Sequence, residues 1–319
     1  MKRLNYLFLF MLILFISSCF KNISNKNEIF LADPTIFKDN DVYYLYGTTS
    51  GGLDSVNSGF LVYESKDLKN WFRKGYALQK GDAFGDKGFW APQVFKRNEV
   101  YYMAYTANEN IAIAKSKSPL GPFVNKAKQS YKSSVKQIDP FVFFDNGKIY
   151  MYHVRRVNEG SQIFVVELED DLISMKEETL TKCISVELLW EDTKKMKSKI
   201  AEGQTVIKME DTYYLFYSAN NFKNPDYAVG YATSKSPLGP WQKATNNPII
   251  EKSIINEYGP GHGDIFYDMN NSMYYVLHTH FSKEEVRPRK TAIIKLAFDE
   301  NSKSFSAKKE SFRFLTSGE

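Results

Sequence analysis

The sequence predicts an all-β fold, a five-bladed β-propeller, on three observations. One pattern of apolar strand, polar turn and aromatic strand occurs five times, as ADPTIFKDNDVYYLY, WAPQVFKRNEVYYMAY, IDPFVFFDNGKIYMYH, AEGQTVIKMEDTYYLFY and GPGHGDIFYDMNNSMYYVLH, starting at Ala32, Trp90, Ile138, Ala201 and Gly259. Successive copies lie roughly 50 to 65 residues apart, a spacing that suits propeller blades better than the roughly 20 to 45 residues of helical solenoids. The octapeptide SKSPLGPF at residues 116–123 returns as SKSPLGPW at 234–241, and no copy carries a long amphipathic helix.

In chain order, Lys2 and Arg3 precede an apolar run at residues 4–16 that is too short for a bilayer span and fits an export signal. The run closes on Ile16, Ser17, Ser18 and Cys19, which resembles a bacterial lipobox, whose Cys is lipidated and begins the mature protein. An ordinary cleaved signal with an incidental Cys is the alternative. The expected organisation is a lipoprotein signal peptide at 1–18, a lipidated tether at 19–28 and one propeller domain at 29–319, exported to the bacterial cell envelope and held at a membrane by the acyl chains on Cys19, each buried methylene adding about 0.8 kcal/mol. Cys183 then stands alone, which excludes an internal disulfide and predicts a buried, inert thiol.

Within the domain, residues 42–46 and 59–64 read as strands of the first unit, followed by a turn that delivers Trp71. Residues 100–105 and 111–114 continue the second unit, 162–168 the third and 291–298 the fifth, giving three or four strands each. Pro and Gly in the repeated octapeptide end a strand, so it marks the edge where one blade hands over to the next. Charged residues make up 25% of the chain but the net charge is only +5, without a basic stripe, which argues against a nucleic-acid partner. The 15% aromatic content suits strands and also the stacking of rings on sugars.

First strands of propeller blades surround the central axis, so equivalent residues entering them converge on one mouth. Aligning the units on Pro34-Thr35-Ile36, Pro92-Gln93-Val94, Pro140-Phe141-Val142, Gln204-Thr205-Val206 and Gly263-Asp264-Ile265 puts Asp33, Ala91, Asp139, Gly203 and His262 at one position, with Glu202 just before Gly203. Singly, Asp before Pro opens a turn and Glu before Gly caps a strand end. Three carboxylates on one rim are costly in repulsion and burial, a cost that function tolerates, and their mutual repulsion separates pKa values as an acid and a base require. Cleavage of a glycosidic acetal needs one protonated carboxyl to protonate the leaving oxygen and one carboxylate to activate water or attack the sugar. Ser-His-Asp chemistry and helical metal motifs have no support, and His278 and His280 alternate as on a strand face.

These residues resemble glycoside hydrolase family 43 along nearly the whole mature chain: ADP from Ala32, WAP from Trp90, IDP from Ile138, the Glu202-Gly203 pair, YAVGYATSKSPLGPW from Tyr227 and GPGH from Gly259, in that order. The resemblance implies a five-bladed propeller and an inverting mechanism on arabinose- or xylose-containing glycans, with Asp33 as general base, Glu202 as general acid and Asp139 raising the pKa of the acid. Gln204 departs from the Pro or Ala usual after the acid's Glu-Gly pair. His262 resembles the family's axial His, which in some members contacts a calcium ion, with a metal-free hydrogen-bonded His as the alternative; no cofactor is required. Trp90 either stacks on sugar or packs between blades. Arg289 either reaches substrate hydroxyls or is a solvated loop charge beside Arg287 and Lys290. Retaining relatives carry a motif that Ala32 and Thr35 do not fit. The expected activity is that of an exo-acting α-L-arabinofuranosidase on an oligo- or polysaccharide, with β-xylosidase, endo-arabinanase and β-D-galactofuranosidase as alternatives, and a non-catalytic glycan-binding lipoprotein as a different class. Specificity is expected in the rim segments 50–58, 81–89, 182–199 and 220–226.

Overall fold

The computed structural model describes residues 28–49 and 58–318. The expected export signal, Cys19, the expected tether up to residue 27 and the rim segment 50–57 lie outside the described residues. The chain forms a five-bladed β-propeller. Blade 1 holds β1 (Ala32–Asp39), β2 (Val42–Thr48), β3 (Gly59–Ser65) and β4 (Asn70–Gln79). Among the described residues blade 2 has β5 (Trp90–Arg97), β6 (Val100–Ala107) and β7 (Asn110–Ser116). Blade 3 holds β8 (Gln137–Asp145), β9 (Lys148–Val157), β10 (Gly160–Leu168) and β11 (Met175–Ile184), and blade 4 β12 (Lys199–Met209), β13 (Thr212–Ala219), β14 (Ala228–Ser234) and β15 (Gln242–Lys243). Blade 5 holds β16 (Gly261–Tyr267), β17 (Met273–Thr279), β18 (Lys290–Asp299) and β19 (Ser304–Phe314). Among the described residues the only α-helix is α1 (Lys252–Ile255).

Each repeated pattern is the innermost hairpin of a blade, antiparallel in every case. Its turn is tight because residues such as Asn40, Asn98 and Asn146 accept the left-handed conformation that two-residue hairpins need. The inner strands touch in the cyclic order β1, β5, β8, β12, β16 and back to β1. Both chain ends complete the ring. β20 (Thr316–Ser317) adds to β4 of blade 1, while Ile29 N–H donates to the Leu315 carbonyl at 3.0 Å and Leu31 N–H to Thr291 Oγ1 at 2.9 Å on blade 5.

Aromatic residues of the second strands fill the spaces between blades and direct their hydroxyls to polar partners, as a buried Tyr must. The Tyr46 hydroxyl donates to the Pro119 carbonyl at 2.5 Å and that of Tyr152 to Pro237 at 2.6 Å. Both acceptors lie in the repeated octapeptide. It does mark a blade edge, but the neighbour it ties to is the preceding blade rather than the next one. Cys183 is half-buried rather than fully enclosed, and burial pushes its thiol up, away from the reactive thiolate.

The inner strands share one irregularity that builds the mouth. Pairing slips at Ala32/Thr35, Trp90/Gln93, Ile138/Phe141, Glu202/Thr205 and Gly261/Asp264. The residues at these bulges are Asp33, Ala91, Asp139, Gly203 and His262, all left-handed, with φ of 48°, 44°, 56°, 63° and 43°. A bulge turns its side chain out of the sheet's alternation, here toward the axis, at a cost of about 1–2 kcal/mol for each non-glycine residue. The preceding blade secures four of the five backbones. Ala91 N–H donates to Thr48 Oγ1 at 3.0 Å, Asp139 N–H to Thr106 Oγ1 at 2.9 Å, His262 N–H to Ser218 Oγ at 2.8 Å and Asp33 N–H to His278 Nδ1 at 3.2 Å. Blade 3 has Val154 at the corresponding place, opposite Ile138, and it offers no acceptor to Gly203.

Candidate active site

Asp33 enters the mouth from β1, and each of its oxygens has a donor. Arg289 Nη1 meets Oδ1 at 3.0 Å and the Thr48 hydroxyl donates to Oδ2 at 2.6 Å. The Nδ1 atoms of His262 and His278 both lie 3.5 Å from Oδ1. Burial pushes this carboxyl up, but Arg289, His262 and Thr48 together outweigh burial and hold it well below the usual carboxylate range. Asp33 is therefore ionised.

Glu202 comes from β12, one residue before the bulge, and accepts a hydrogen bond from the Tyr227 hydroxyl at 2.9 Å. Burial raises its pKa and the charge of Asp33 adds to the rise, against the opposing pull of His262, Tyr227 and Arg289. The next residue has to be glycine: at φ +63°, a Cβ on Gly203 would come within 2.8 Å of His262 Cγ. Asp139, on β8, is pushed up to about 7 by burial, with Glu202 and Asp33 adding and His262 and Arg156 opposing, and among the described residues its Oδ2 has no hydrogen-bond partner. The mouth thus holds one carboxylate fixed in its charged form and a pair of carboxyls that retain protons at higher pH than usual.

The two histidines are shifted in opposite directions. Burial alone would lower His262, but Asp33, Asp139 and Glu202 raise it, favouring its protonated form. His278 is lowered well below its ordinary value by burial and by Arg289, and remains neutral. Beneath the mouth, Asp264 accepts from the Thr35 and Thr205 hydroxyls at 2.7 Å each, and a cavity of about 30 Å³ in the channel has room for about one water. Calcium takes six to eight oxygen ligands. Among the described residues no three His, Cys, Asp or Glu side chains converge on a metal position, so these side chains do not by themselves make a calcium site.

The fold therefore brings Asp33, Asp139, Glu202, His262 and Arg289 together. Arg289 is not the solvated loop charge that its neighbours in sequence suggested: it is 5% exposed, standing just before β18 at the end of its ladder with β17 and meeting Asp33. Trp90 occupies on β5 the bulge position that Glu202 occupies on β12, half-buried and packed against the core between blades 3 and 4. Sequence reasoning missed Thr48 and Tyr227 as partners of the carboxylates, and His278 proved to be more than a strand-face residue. Tyr227 lay inside a quoted motif, whereas Thr48 had no local signal.

A sequence model of glycosyl hydrolases family 43 matches residues 27–303. Among characterised proteins, a β-D-galactofuranosidase of Aspergillus niger is 25% identical over 88% of this chain and 84% of its own length. An extracellular exo-α-(1→5)-L-arabinofuranosidase of Cellvibrio japonicus is 24% identical over 88% and 87%. A solved structure described as an endo-1,4-β-xylanase from Bacteroides thetaiotaomicron superposes with a TM-score of 0.86 at 38% identity, covering 92% of this chain and 99% of its own. Another, described as a thermostable family-43 glycoside hydrolase, gives a TM-score of 0.79 at 36% identity over 88% and 93%.

Proposed function

The chain belongs to glycosyl hydrolases family 43 and is a glycoside hydrolase, and from that premise we propose that it is an inverting enzyme releasing α-L-arabinofuranose from the non-reducing ends of plant-type glycans. The observation that carries the mechanism is the contrast between an ionised Asp33, clamped by Arg289 and Thr48, and a buried Glu202 whose pKa is raised. Asp33 takes a proton from water, the water oxygen bonds to the anomeric carbon, and the glycosidic bond breaks as Glu202 delivers its proton to the departing oxygen. Both carboxyls return to their starting states by exchange with solvent. Asp139, buried in the same mouth, holds the acid in place, while Trp90 and His262 contact the sugar and Arg289 holds Asp33.

The furanose preference is supported by the relatives, named for arabinofuranose or galactofuranose release. The structure at 38% identity, described as a xylanase, favours xylose as the second reading. A panel of nitrophenyl α-L-arabinofuranoside, β-D-xyloside and β-D-galactofuranoside with arabinan and arabinoxylan separates these readings. Proton NMR within the first minutes of reaction should show the product with inverted anomeric configuration; retained configuration rejects the mechanism. Glu202→Gln should abolish release from sugar-linked substrates, and activity equal to the wild type would remove Glu202 from its role. The proposal includes export as an envelope lipoprotein lipidated on Cys19. Cys19→Ala should move the protein from the detergent phase to the aqueous phase, and unchanged partition would reject the anchor.

A further inference from the structure

The Arg289 guanidinium is held from two directions. Its Nη1 donates to Asp33 Oδ1 at 3.0 Å, and its Cζ lies 4.8 Å from the centre of the Phe222 ring. Arg287 Cζ lies 5.7 Å from the same ring. Phe222 stands on the connection between β13 and β14, and the acid–base chemistry does not require an aromatic residue there.

That connection is firmly tied. Asn220, left-handed at φ +73°, donates Nδ2 to the carbonyls of Trp190 and Asp226 at 2.7 and 2.9 Å and accepts from Thr193 N–H at 2.9 Å. His280 Nε2 meets the Phe222 carbonyl at 2.8 Å. The ring is thus a fixed part of blade 4, the blade that carries Glu202, whereas Arg289 belongs to blade 5 and Asp33 to blade 1. A buried cation needs its free face covered as well as its edge paired, and an aromatic face supplies attraction that an aliphatic side chain of similar bulk does not.

We propose that Phe222 is a positioning residue: its ring fixes the Arg289 guanidinium and, through it, holds the Asp33 carboxylate in place relative to Glu202 across the blade boundaries. The proposal rests on the acid–base reading of the site. Acid and base must stand within fractions of an ångström of their working geometry, so losing one side of the clamp is felt in turnover more than in binding.

The test compares Phe222→Leu with Phe222→Tyr and Phe222→Trp in the full chain. Leu keeps bulk and removes the π face; Tyr and Trp keep the face. Phe222→Leu should lower kcat about 3- to 30-fold, with KM changed less than about 2-fold, and the aromatic variants should stay within about 3-fold of wild type. In protein labelled with nitrogen-15 arginine, the Arg289 Nε–H resonance, assigned by its loss in Arg289→Lys, should carry a ring-current displacement in wild type and Phe222→Tyr that disappears in Phe222→Leu. Wild-type kinetics in Phe222→Leu, equal losses in the Leu and Tyr variants, or an Arg289 resonance unmoved by Phe222→Leu would each overturn the proposal. If the wild type cleaves no glycoside, the functional reading fails, and the resonance alone decides on Phe222: displacement that vanishes with Leu supports the clamp, and no displacement rejects it.

Discussion

Replacing Tyr227 with Phe isolates one hydrogen bond on the proposed acid. The hydroxyl donates to Glu202 Oε1 at 2.9 Å, while the ring stacks on His278 with centroids 5.9 Å apart and packs against Gly261. Burial is the main reason the Glu202 pKa is raised, and Tyr227 opposes it by favouring the ionised form. Losing the hydroxyl therefore raises that pKa further. A hydrogen bond to a charged group is worth roughly 1.5–3 kcal/mol net, and the protonated carboxyl still accepts a weaker one, so the difference between the two forms is about 1 kcal/mol. At 1.36 kcal/mol per unit, the rise is about 0.7 unit. A general acid must be protonated to act, so the basic limb of kcat/KM should move up by that amount, while kcat on the acidic side should fall several-fold because the carboxyl has lost its orienting partner. The assay is kcat/KM from pH 4 to 9 on a substrate with a sugar leaving group, which needs protonation, unlike nitrophenolate. Retained packing predicts a Tm close to wild type. A basic limb that stays in place or moves down would refute the assignment of Glu202 as the acid held in check by Tyr227.

The base responds in the opposite limb. Burial alone raises Asp33 and Arg289 is the foremost group lowering it, so Arg289→Gln should raise its pKa by about 1–3 units and shift the acidic limb of kcat/KM upward; an unmoved limb would exclude Asp33 as the base. Asp139 is raised by burial to about 7 on folding, so the stability it contributes is complete below its unfolded pKa near 4 and is lost as pH rises through 7. Asp139→Asn should therefore flatten that loss, and thermal melts at pH 5 and pH 8 should show wild type falling relative to the variant; parallel curves would contradict it. Gly203→Ala places a Cβ 2.8 Å from His262 Cγ in a left-handed residue and should lower Tm by at least about 5 °C, a value that calorimetry checks directly.

The amino-acid sequence by itself determined the five hairpins, their order and the residues that stand at equivalent places on the rim. Those features are local: alternation sets a strand's faces, Asn-containing turns set the register, and repetition identifies Asp33, Ala91, Asp139, Gly203 and His262 as one position, which the shared bulge and left-handed backbone bear out. Tertiary structure alone decided what touches the carboxylates. Arg289 meets Asp33 across 256 positions of sequence, and Thr48 binds Asp33 with its hydroxyl while its oxygen accepts from the next blade's Ala91. Tyr227 reaches Glu202 from the far side of the β13–β14 connection that also sets Phe222 on Arg289. Hydrogen bonds within a hairpin follow from the chain's own period, but contacts between blades exist only once the ring has closed, and ring closure depends on how five separately twisted sheets pack, which no local pattern encodes.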